Sequence, residues 1–307
     1  MEPVTAVVIR RIRAQSEEET GDVVAREYPV TLVCRGEGSG GSGWELATLM
    51  CTPEHLDELA LGFLYTGGLL SFREEVRGVE VEAGADAGRV VVTLAPTAET
   101  RVGAWRAARR EDWQAARPVT TGCGYAALVG DEELPRVGGN LRVTVAEIMG
   151  ALTELGRAAV HRETGATHAA ALACKGGIVC LREDVGRHNA IDKIAGWWLT
   201  RCEAGVAPAG DGGDRTASGG GGGRVACGGA PASGQDEGLV VLTTGRLSSD
   251  IVLKVGRLGA EVLVSRAAPT SLGIRLAYLT GLTLVGFARV GHLNVYTFPE
   301  RVLTTPG

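Results

Sequence analysis

The sequence predicts an α+β or α/β protein, with a β-rich N-terminal part and a C-terminal sheet covered by helices. Strand-like apolar runs dominate the first half, and they alternate with helical runs in the second half. The chain has 307 residues, of which 45% are hydrophobic. It is therefore long enough to bury a sizeable core, as one large domain or two modest ones.

Charge and hydropathy argue against two kinds of partner. Lys and Arg number 31 and Asp and Glu 36, so the net charge of −5 does not favour nucleic-acid binding. The longest mostly apolar run, Leu59–Phe72, is shorter than the roughly 18 residues that span a membrane. The N-terminus has charges where a signal peptide has its apolar stretch. We expect a cytoplasmic protein that binds neither nucleic acid nor a membrane.

The N-terminal half is expected to contain strands at Val4–Arg13, Tyr28–Cys34, Glu45–Cys51, Val76–Glu82 and Arg89–Leu94. A helix is predicted after the third strand, with Thr52 as its N-cap and Pro53 in its first turn. Gly67 and Gly68 are expected to end this helix. Its apolar stripe consists of Leu56, Leu59, Ala60, Phe63 and Leu64. The charged segment Thr97–Pro118 suits a helix or a connection between the two halves.

The C-terminal half is expected to alternate helices with strands. Helices are predicted at Val143–Arg157, Asn189–Cys202 and Ser248–Leu258, and a further helix is predicted to begin at Pro269. The run Ala169–Leu181 combines a helix-like apolar stretch with a strand at Ile178–Leu181. Further strands are predicted at Leu239–Leu242, Glu261–Ser265, Leu282–Phe287 and Asn294–Thr297. This alternation predicts a sheet covered by helices.

Residues 203–237 interrupt the alternation. Twelve of these 35 residues are Gly, and this composition predicts a disordered insertion that cannot bury enough apolar surface to order itself. Its five-glycine run is not a phosphate-binding loop, because no G-K-[ST] follows. We divide the chain into an N-terminal domain at 1–118, a loop at 119–139 and a C-terminal domain at 140–307 that contains the insertion.

Seven cysteines are present, and they do not predict a disulfide framework because they are odd in number and widely spaced. No C-x-x-C pair occurs, and the spacing between Cys174 and Cys180 is not usual for zinc, so no metal site is expected. The cysteines that lie among apolar residues are interpreted as small core side chains: Cys34, Cys51, Cys174 and Cys180.

Cys123 has different surroundings, since it lies between Gly122 and Gly124. Two flanking glycines leave a thiol with little cover and an adaptable backbone, which favours an accessible nucleophile. Arg117 is its nearest cation in sequence. A glycine turn that merely contains a cysteine is the alternative interpretation.

Polar residues are dense in the segment Arg182–Asn189, between a predicted strand and a predicted helix. Ligands of open sheets bind beyond the carboxyl ends of strands, and Arg182, Arg187 and His188 together with a helix N-terminus can hold phosphate oxygens. A solvated, salt-bridged loop with Asn189 as helix cap is the alternative.

Three later turns have the same placement. Thr243–Asp250 follows a strand and contains Arg246, which can face an anion, and Ser248 or Ser249, which can cap a helix. The turns Ala268–Ser271 and Ala288–His292 also follow strands. Each is by itself more typical of a helix cap, but together they favour an anionic ligand such as a nucleotide.

Several ordered strings in the sequence are similar to those of one protein family. They are TPEHLDELALGFLYTGGLL, the GCG around Cys123, REDVGRHNAIDK, TTGRLSS, SRAAPTSL, GLTLVGFAR and NVYTFPERV. The chain thus resembles the formate dehydrogenase accessory sulfurtransferase (FdhD-like) family over Tyr28–Val302, apart from the glycine-rich insertion.

The resemblance implies a sulfurtransferase that takes sulfur from a cysteine desulfurase and carries it as a cysteine persulfide. It would deliver this sulfur to the molybdenum (or tungsten) bis(molybdopterin guanine dinucleotide) cofactor of formate dehydrogenase, which a guanine nucleotide can mimic. The family's carrier cysteine matches Cys123. Its cofactor-binding stretch matches Phe287, Ala288, Arg289, Val290, Gly291 and His292. The resemblance also implies a cytidine-deaminase-like C-terminal fold, a homodimer and the catalytic subunit of formate dehydrogenase as a partner.

The sequence departs from two patterns. Most of the family has C-x-x-C, whereas Ala126 stands here in place of the second cysteine, and one thiol is enough to accept and pass on a persulfide. Zinc deaminases use H-x-E and P-C-x-x-C, but Ala170 stands where the Glu would follow His168, and no P-C-x-x-C occurs.

Two other functions stay open from the sequence. One is a non-enzymatic chaperone that binds the molybdenum cofactor or the apo-form of formate dehydrogenase without moving sulfur, and the missing second cysteine makes this alternative less remote. The other is a nucleotide-processing enzyme with a deaminase-like fold, against which the missing Glu and metal ligands argue.

Overall fold

The computed structural model describes residues 1–38, 43–109, 134–174, 177–201, 238–289 and 291–304. These residues form a mixed α/β structure with seven α-helices and four sheets. Cys123, residues 203–237 and Val290 lie outside them. The division of the chain at residues 118 and 139 therefore stays a prediction.

The N-terminal part begins with a separate hairpin of two strands, β1 (Val4–Arg13) and β2 (Ser16–Ala25). A four-stranded sheet follows, in the order β4-β3-β6-β5. Its strands are β3 (Tyr28–Gly36), β4 (Trp44–Cys51), β5 (Val76–Ala83) and β6 (Gly88–Leu94). The helices of this part are α1 (Leu56–Thr66) and α2 (Pro96–Arg109). The five predicted strands are thus confirmed, and β2 was not predicted.

The C-terminal part contains five helices and eight strands among the described residues. Its helices are α3 (Val145–Leu155), α4 (Ala159–Thr164), α5 (Arg187–Arg201), α6 (Ser249–Leu258) and α7 (Ser271–Thr280). A small parallel pair joins β7 (Val143–Thr144) to β14 (Val302–Leu303). The strands of the main sheet are β8 (His168–Cys174), β9 (Gly177–Asp184), β10 (Val240–Thr243), β11 (Val262–Ser265), β12 (Thr283–Arg289) and β13 (His292–Val295).

The main sheet has the order β13-β12-β11-β10-β8-β9. Strands β10, β11 and β12 are parallel, while β8 is antiparallel to both β10 and β9. Strand β9 therefore points in the same direction as β10, β11 and β12. The carboxyl ends of these four strands consequently meet at one edge of the sheet, where α5, α6 and α7 also begin.

Each face of the main sheet is covered by its own apolar core. Alternate residues of a strand point to opposite faces, so a single strand contributes to both cores. Ala170 and Leu172 of β8 pack in a cluster with α1, α5, α6 and α7, and this cluster continues into the four-stranded sheet. Ala169, Ala171 and Ala173 face a second cluster, to which α3 contributes. The main sheet is therefore the middle layer, and one core joins the N-terminal and C-terminal parts.

Helices α1 and α5 pack closely because each has a glycine at the contact. A Cβ atom added to Gly62 would lie 1.7 Å from the carbonyl oxygen of Asp192, and one added to Gly196 would lie 1.9 Å from that of Glu58. Any larger side chain would force the two helices apart. This contact fixes the N-terminal part against the helix that begins at the strand-end edge of the main sheet.

Three local predictions are wrong. The helix-like first part of Ala169–Leu181 forms strand β8, since a strand buried on both faces is as uniformly apolar as a buried helix, whereas the strand predicted at Ile178–Leu181 lies within β9 and is confirmed. Thr52 does not cap α1, whose N-cap is His55 in a left-handed conformation with φ 54°. Asn189 lies inside α5 instead of capping it. No helix in the described ranges is long and apolar enough to span a membrane.

Candidate functional site

Four polar turns follow the strands whose carboxyl ends share one edge of the main sheet. They are residues 184–189 at the end of β9, 243–250 at the end of β10, 265–271 at the end of β11, and 287–289 with 291–292 at the end of β12. We call these turns, together with His168 at the start of β8, the strand-end edge. The predicted placement of the polar segments at comparable strand ends is therefore confirmed. The N-termini of α5, α6 and α7 also lie at this edge, and helix N-termini attract anions.

Hydrogen bonds join neighbouring turns of the strand-end edge into one unit. Ser265 Oγ donates to the carbonyl oxygen of Gly245 over 2.6 Å, which ties the turn after β11 to the turn after β10. The backbone N–H of Phe287 donates to the carbonyl oxygen of Ala267 over 3.1 Å, which ties the turn after β12 to the same unit. A Cβ atom on Gly245 would lie 2.9 Å from Cβ of Arg187, so the turns after β9 and β10 are in contact.

His188 is a buried titratable group of this edge. Its side chain belongs to the second residue of α5, the residue is only 5% exposed, and neither ring nitrogen has a hydrogen-bond partner among the described residues. Burial, with the nearby charges of Lys254 and Arg187, lowers the pKa of His188 to about 3. His188 is therefore neutral at neutral pH, and it offers one donor and one acceptor but no charge. This modifies the sequence expectation, in which His188 held phosphate among cationic residues.

His168 and Ser248 add further polar atoms to the strand-end edge. His168 Nδ1 lies 3.4 Å from Thr244 Oγ1, and burial together with Arg187 lowers the pKa of His168. Ser248 is the N-cap of α6, but its Oγ is buried and has no hydrogen-bond partner in the part of the chain that the structure describes. Buried polar atoms usually have partners, so unsatisfied atoms of His188 and Ser248 favour a site that a polar ligand or water completes.

Arg182 is held by a carboxylate of α1. Its Nη2 lies 2.8 Å and its Nε 2.5 Å from the two carboxylate oxygens of Glu58, and its Nη1 donates to the carbonyl oxygen of Leu181. Arg246, by contrast, is exposed in the turn after β10. Of these two predicted anion ligands, Arg246 has the more accessible guanidinium.

The side chain of Glu183 also has a structural role. Its carboxylate accepts hydrogen bonds from the backbone N–H groups of Val160 and His161 and from the hydroxyl of Thr167. It therefore anchors the start of α4 to β9. The acidic residues of the segment Arg182–Asn189 thus support the fold around the edge.

The predicted cofactor-binding stretch forms the end of β12 and the turn to β13. Phe287 is 36% exposed and has a positive φ of 51°, whereas Ala288 is fully buried. Arg289 and His292 are exposed and pair with each other across the turn, and Gly291 has a φ of 89°. A left-handed conformation at a non-glycine residue is unusual, and such residues cluster at functional sites.

The described cysteines are poor nucleophiles. Cys34, Cys51 and Cys180 are free thiols with buried side chains, and burial raises the pKa of each to about 12. Their prediction as core residues is confirmed, and Cys174 packs partly buried against the same core. Because the thiolate is the reactive form, none of these three thiols suits sulfur transfer. In the described part of the chain, no group of three or more His, Cys, Asp or Glu residues can hold a metal ion.

Comparison with known proteins assigns the chain to a family. The model of the FdhD/NarQ family matches residues 25–207 and 226–303. The chain belongs to the FdhD/NarQ family. Sulfur carrier protein FdhD from Bordetella parapertussis is 34% identical over 308 residues, which cover 97% of this chain and 94% of that protein. Sulfur carrier protein FdhD from Shouchella clausii is 32% identical over 305 residues, which cover 97% of this chain and 96% of that protein.

A solved structure supports the same family assignment. The crystal structure of a putative formate dehydrogenase accessory protein from Desulfotalea psychrophila superposes with a TM-score of 0.65. It is 26% identical in sequence, and the match covers 98% of this chain and 100% of that one. The mixed α/β fold described above is thus similar to a solved fold of an accessory protein.

Sequence reasoning missed several residues that support the strand-end edge in this member of the FdhD/NarQ family. Glu58 and Thr52 come from the N-terminal part, and Lys193 from α5. The signal for Lys193 was present, since Asp192 and Lys193 lie between apolar residues of a helix face that must be buried. The residues of the N-terminal part that pair with Asp192 and Lys193 lie far from them in the sequence, so no local sequence pattern predicts these pairings.

Proposed function

We propose that the protein is a sulfur carrier that takes sulfur from a cysteine desulfurase and delivers it to the molybdenum or tungsten bis(molybdopterin guanine dinucleotide) cofactor. The delivery would be required for formate dehydrogenase activity. Family membership supports sulfur transport, because the curated relatives bear the name sulfur carrier protein. The strand-end edge is the structural observation that carries the nucleotide-binding part of the proposal.

Cys123 is the proposed carrier. Its thiolate attacks the outer sulfur of the desulfurase persulfide, the S–S bond of the donor breaks, and the desulfurase thiolate leaves. The transferred sulfur is then held as a persulfide on Cys123. Two facts support this choice: Cys123 is flanked by glycines, and the free thiols of the described residues are buried with raised pKa values.

The strand-end edge is the proposed binding site for the guanine-nucleotide ends of the cofactor, which is the substrate of the transfer. Three helix N-termini at this edge favour phosphate groups, and Arg187, Arg246 and Arg289 add positive charge. Neutral His188 suits a hydrogen bond with an uncharged polar group. Arg182 borders the edge, with its guanidinium already held by Glu58.

The remaining members of the proposed site lie in the stretch 287–292. Phe287 presents an exposed ring, and aromatic rings stack on the faces of bases. Ala288, Val290, Gly291 and His292 complete the stretch that the family resemblance assigns to the cofactor. We also propose the catalytic subunit of formate dehydrogenase as a partner, a homodimer as the assembly and a cytidine-deaminase-like topology for the C-terminal part.

A second candidate function is a chaperone that binds the molybdenum cofactor of formate dehydrogenase without carrying sulfur. The observation in its favour is Ala126, which replaces the second cysteine found in most of the family. Both functions require the strand-end edge, but only sulfur transfer requires Cys123.

Maturation of formate dehydrogenase distinguishes the two functions. A strain that lacks its own accessory protein is complemented with the wild type, with Cys123→Ala or with Cys227→Ala, and formate dehydrogenase activity is measured. Sulfur transfer predicts activity with the wild type and the Cys227→Ala control and none with Cys123→Ala. Full activity with Cys123→Ala at equal protein level would instead support the chaperone.

A further inference from the structure

One carboxylate organises the turn between β9 and α5. Asp184 is fully buried, and its Oδ1 accepts hydrogen bonds from the backbone N–H of Gly186 and from Asn189 Nδ2, both over 2.8 Å. These two bonds fix the turn immediately before Arg187 and His188. The position of both side chains at the strand-end edge therefore depends on Asp184.

The other oxygen of Asp184 faces a fully buried lysine. Lys193 Nζ lies 2.7 Å from Asp184 Oδ2, and neither side chain is exposed to solvent. Lys193 Nζ also donates to Thr52 Oγ1 over 2.7 Å and to the carbonyl oxygens of Thr52 and Glu183. A buried pair costs desolvation free energy, so it is weak evidence for stability and is better explained by a need for one defined geometry.

Thr52 links this ion pair to the N-terminal part. It follows β4, and its backbone N–H donates to Asp184 Oδ2 over 3.0 Å. Asn189 Nδ2 adds a second link, since it donates to the carbonyl oxygen of Met50 over 2.8 Å. The corner between β4 and α1 is thereby joined to the turn that presents Arg187 and His188.

We propose that Thr52, Asp184 and Lys193 are positioning residues that hold the β9–α5 turn in its nucleotide-binding geometry, so that the N-terminal part sets the affinity of the strand-end edge. The inference rests on the proposed function, since it assumes that this edge binds a guanine nucleotide. None of the three residues is expected to contact the nucleotide. They act through the backbone of Gly186 and through the start of α5.

The chain offers a matched control in a second cluster of the same composition. Thr66 Oγ1 donates to Asp192 Oδ1 over 2.6 Å, and Lys254 Nζ lies 2.6 Å from the same oxygen. This cluster also joins α1 to α5, but at the C-terminal end of α1. It makes no hydrogen bond to the backbone of a strand-end turn in the described residues. Loss of the Thr66 hydroxyl therefore tests the general effect of weakening a buried Thr-Asp-Lys cluster.

Threonine variants test the proposal without leaving a buried charge unpaired, as Asp184→Asn would. The full chain carrying Thr52→Val, Thr52→Ser or Thr66→Val is compared with the wild type. Guanosine diphosphate is the probe, its dissociation constant is measured by calorimetry at 20–25 °C, and thermal unfolding is recorded in parallel. Thr52→Val is expected to weaken binding about fivefold, because it removes the hydroxyl that bonds both Lys193 and Asp184. Thr52→Ser restores the hydroxyl and is expected to bind like the wild type.

The control separates positioning from stability. Thr66→Val is expected to lower the unfolding temperature about as much as Thr52→Val, yet to bind guanosine diphosphate like the wild type. The proposal is overturned if Thr52→Val binds normally, or if Thr66→Val weakens binding to the same extent. A wild type that binds no guanosine diphosphate would overturn the nucleotide site of the proposed function and this inference with it. Normal wild-type binding with unaffected variants would overturn this inference alone.

Discussion

Glu58 of α1 and Arg182 of β9 form a bidentate ion pair, with 2.8 Å between Arg182 Nη2 and Glu58 Oε1 and 2.5 Å between Nε and Oε2. The two side chains are only 12% and 16% exposed. The pair joins the N-terminal part to the strand that leads into the β9–α5 turn. Arg182 therefore contributes to the strand-end edge by holding β9 against α1.

Loss of this carboxylate should destabilise the protein. Glu58→Ala leaves the Arg182 guanidinium largely buried without its partner, and we expect a loss of about 3 kcal/mol in the free energy of unfolding. Glu80→Ala is the control, because it removes a solvent-exposed ion pair with Arg35 and should cost less than about 1 kcal/mol. Urea unfolding measures both. Equal effects of the two variants would contradict the structural role of Glu58.

The contact between α1 and α5 should not tolerate a methyl group. Gly196→Ala places a Cβ atom 1.9 Å from the carbonyl oxygen of Glu58, so the helices must separate at a cost of about 3 kcal/mol. Gly150→Ala in α3 meets no atom of the described residues within 4 Å and should instead stabilise the protein by about 0.5–1 kcal/mol. Thermal unfolding of both variants is the measurement. A Gly196→Ala protein as stable as the wild type would show that the close approach is wrong.

The pH dependence of stability should report the burial of His188. Its pKa is about 3 in the folded protein and near 6.5 when unfolded, so the unfolded state binds the proton more readily. This contribution to stability is complete above pH 6.5 and decreases as the pH falls towards 3. Between pH 7.5 and pH 5 it amounts to about 2 kcal/mol. Over this interval His188→Gln should therefore lose about 2 kcal/mol less stability than the wild type. Parallel curves of stability against pH for the two proteins would rule out a buried neutral histidine.

The buried thiols should resist alkylation. Cys34, Cys51 and Cys180 combine burial with pKa values of about 12, so their thiolate is scarce near neutral pH. Treatment of the folded protein with iodoacetamide at pH 7.5, followed by peptide mapping, should leave all three unmodified and should modify Cys123. The same reagent in urea should modify all of them, which serves as the control. Rapid modification of any of the three in the folded protein would contradict their placement.

The strand positions could be predicted from sequence, because apolar periodicity is a local pattern. The shared edge of the turns could be predicted too, because the carboxyl ends of parallel strands meet at one edge of a sheet. The structure bears out the strands at Val4–Arg13 and Arg89–Leu94 to within a residue. It differs at Ala169–Cys174, because an alanine-rich run favours a helix locally but is a strand in the middle of a sheet. Thr52 has the sequence of a cap, yet its hydroxyl is taken by Asp184 and Lys193. Long-range pairing of this kind is decided by packing and is not visible in a local pattern.

Intact-protein mass spectrometry shows directly whether Cys123 carries sulfur. Wild type and Cys123→Ala are incubated with a cysteine desulfurase and cysteine, and their masses are compared before and after reduction. We expect one added sulfur atom on the wild type, removed by reductant and absent from the variant. A wild type that gains no sulfur beside a competent desulfurase, or a variant that gains it equally, would contradict the claim.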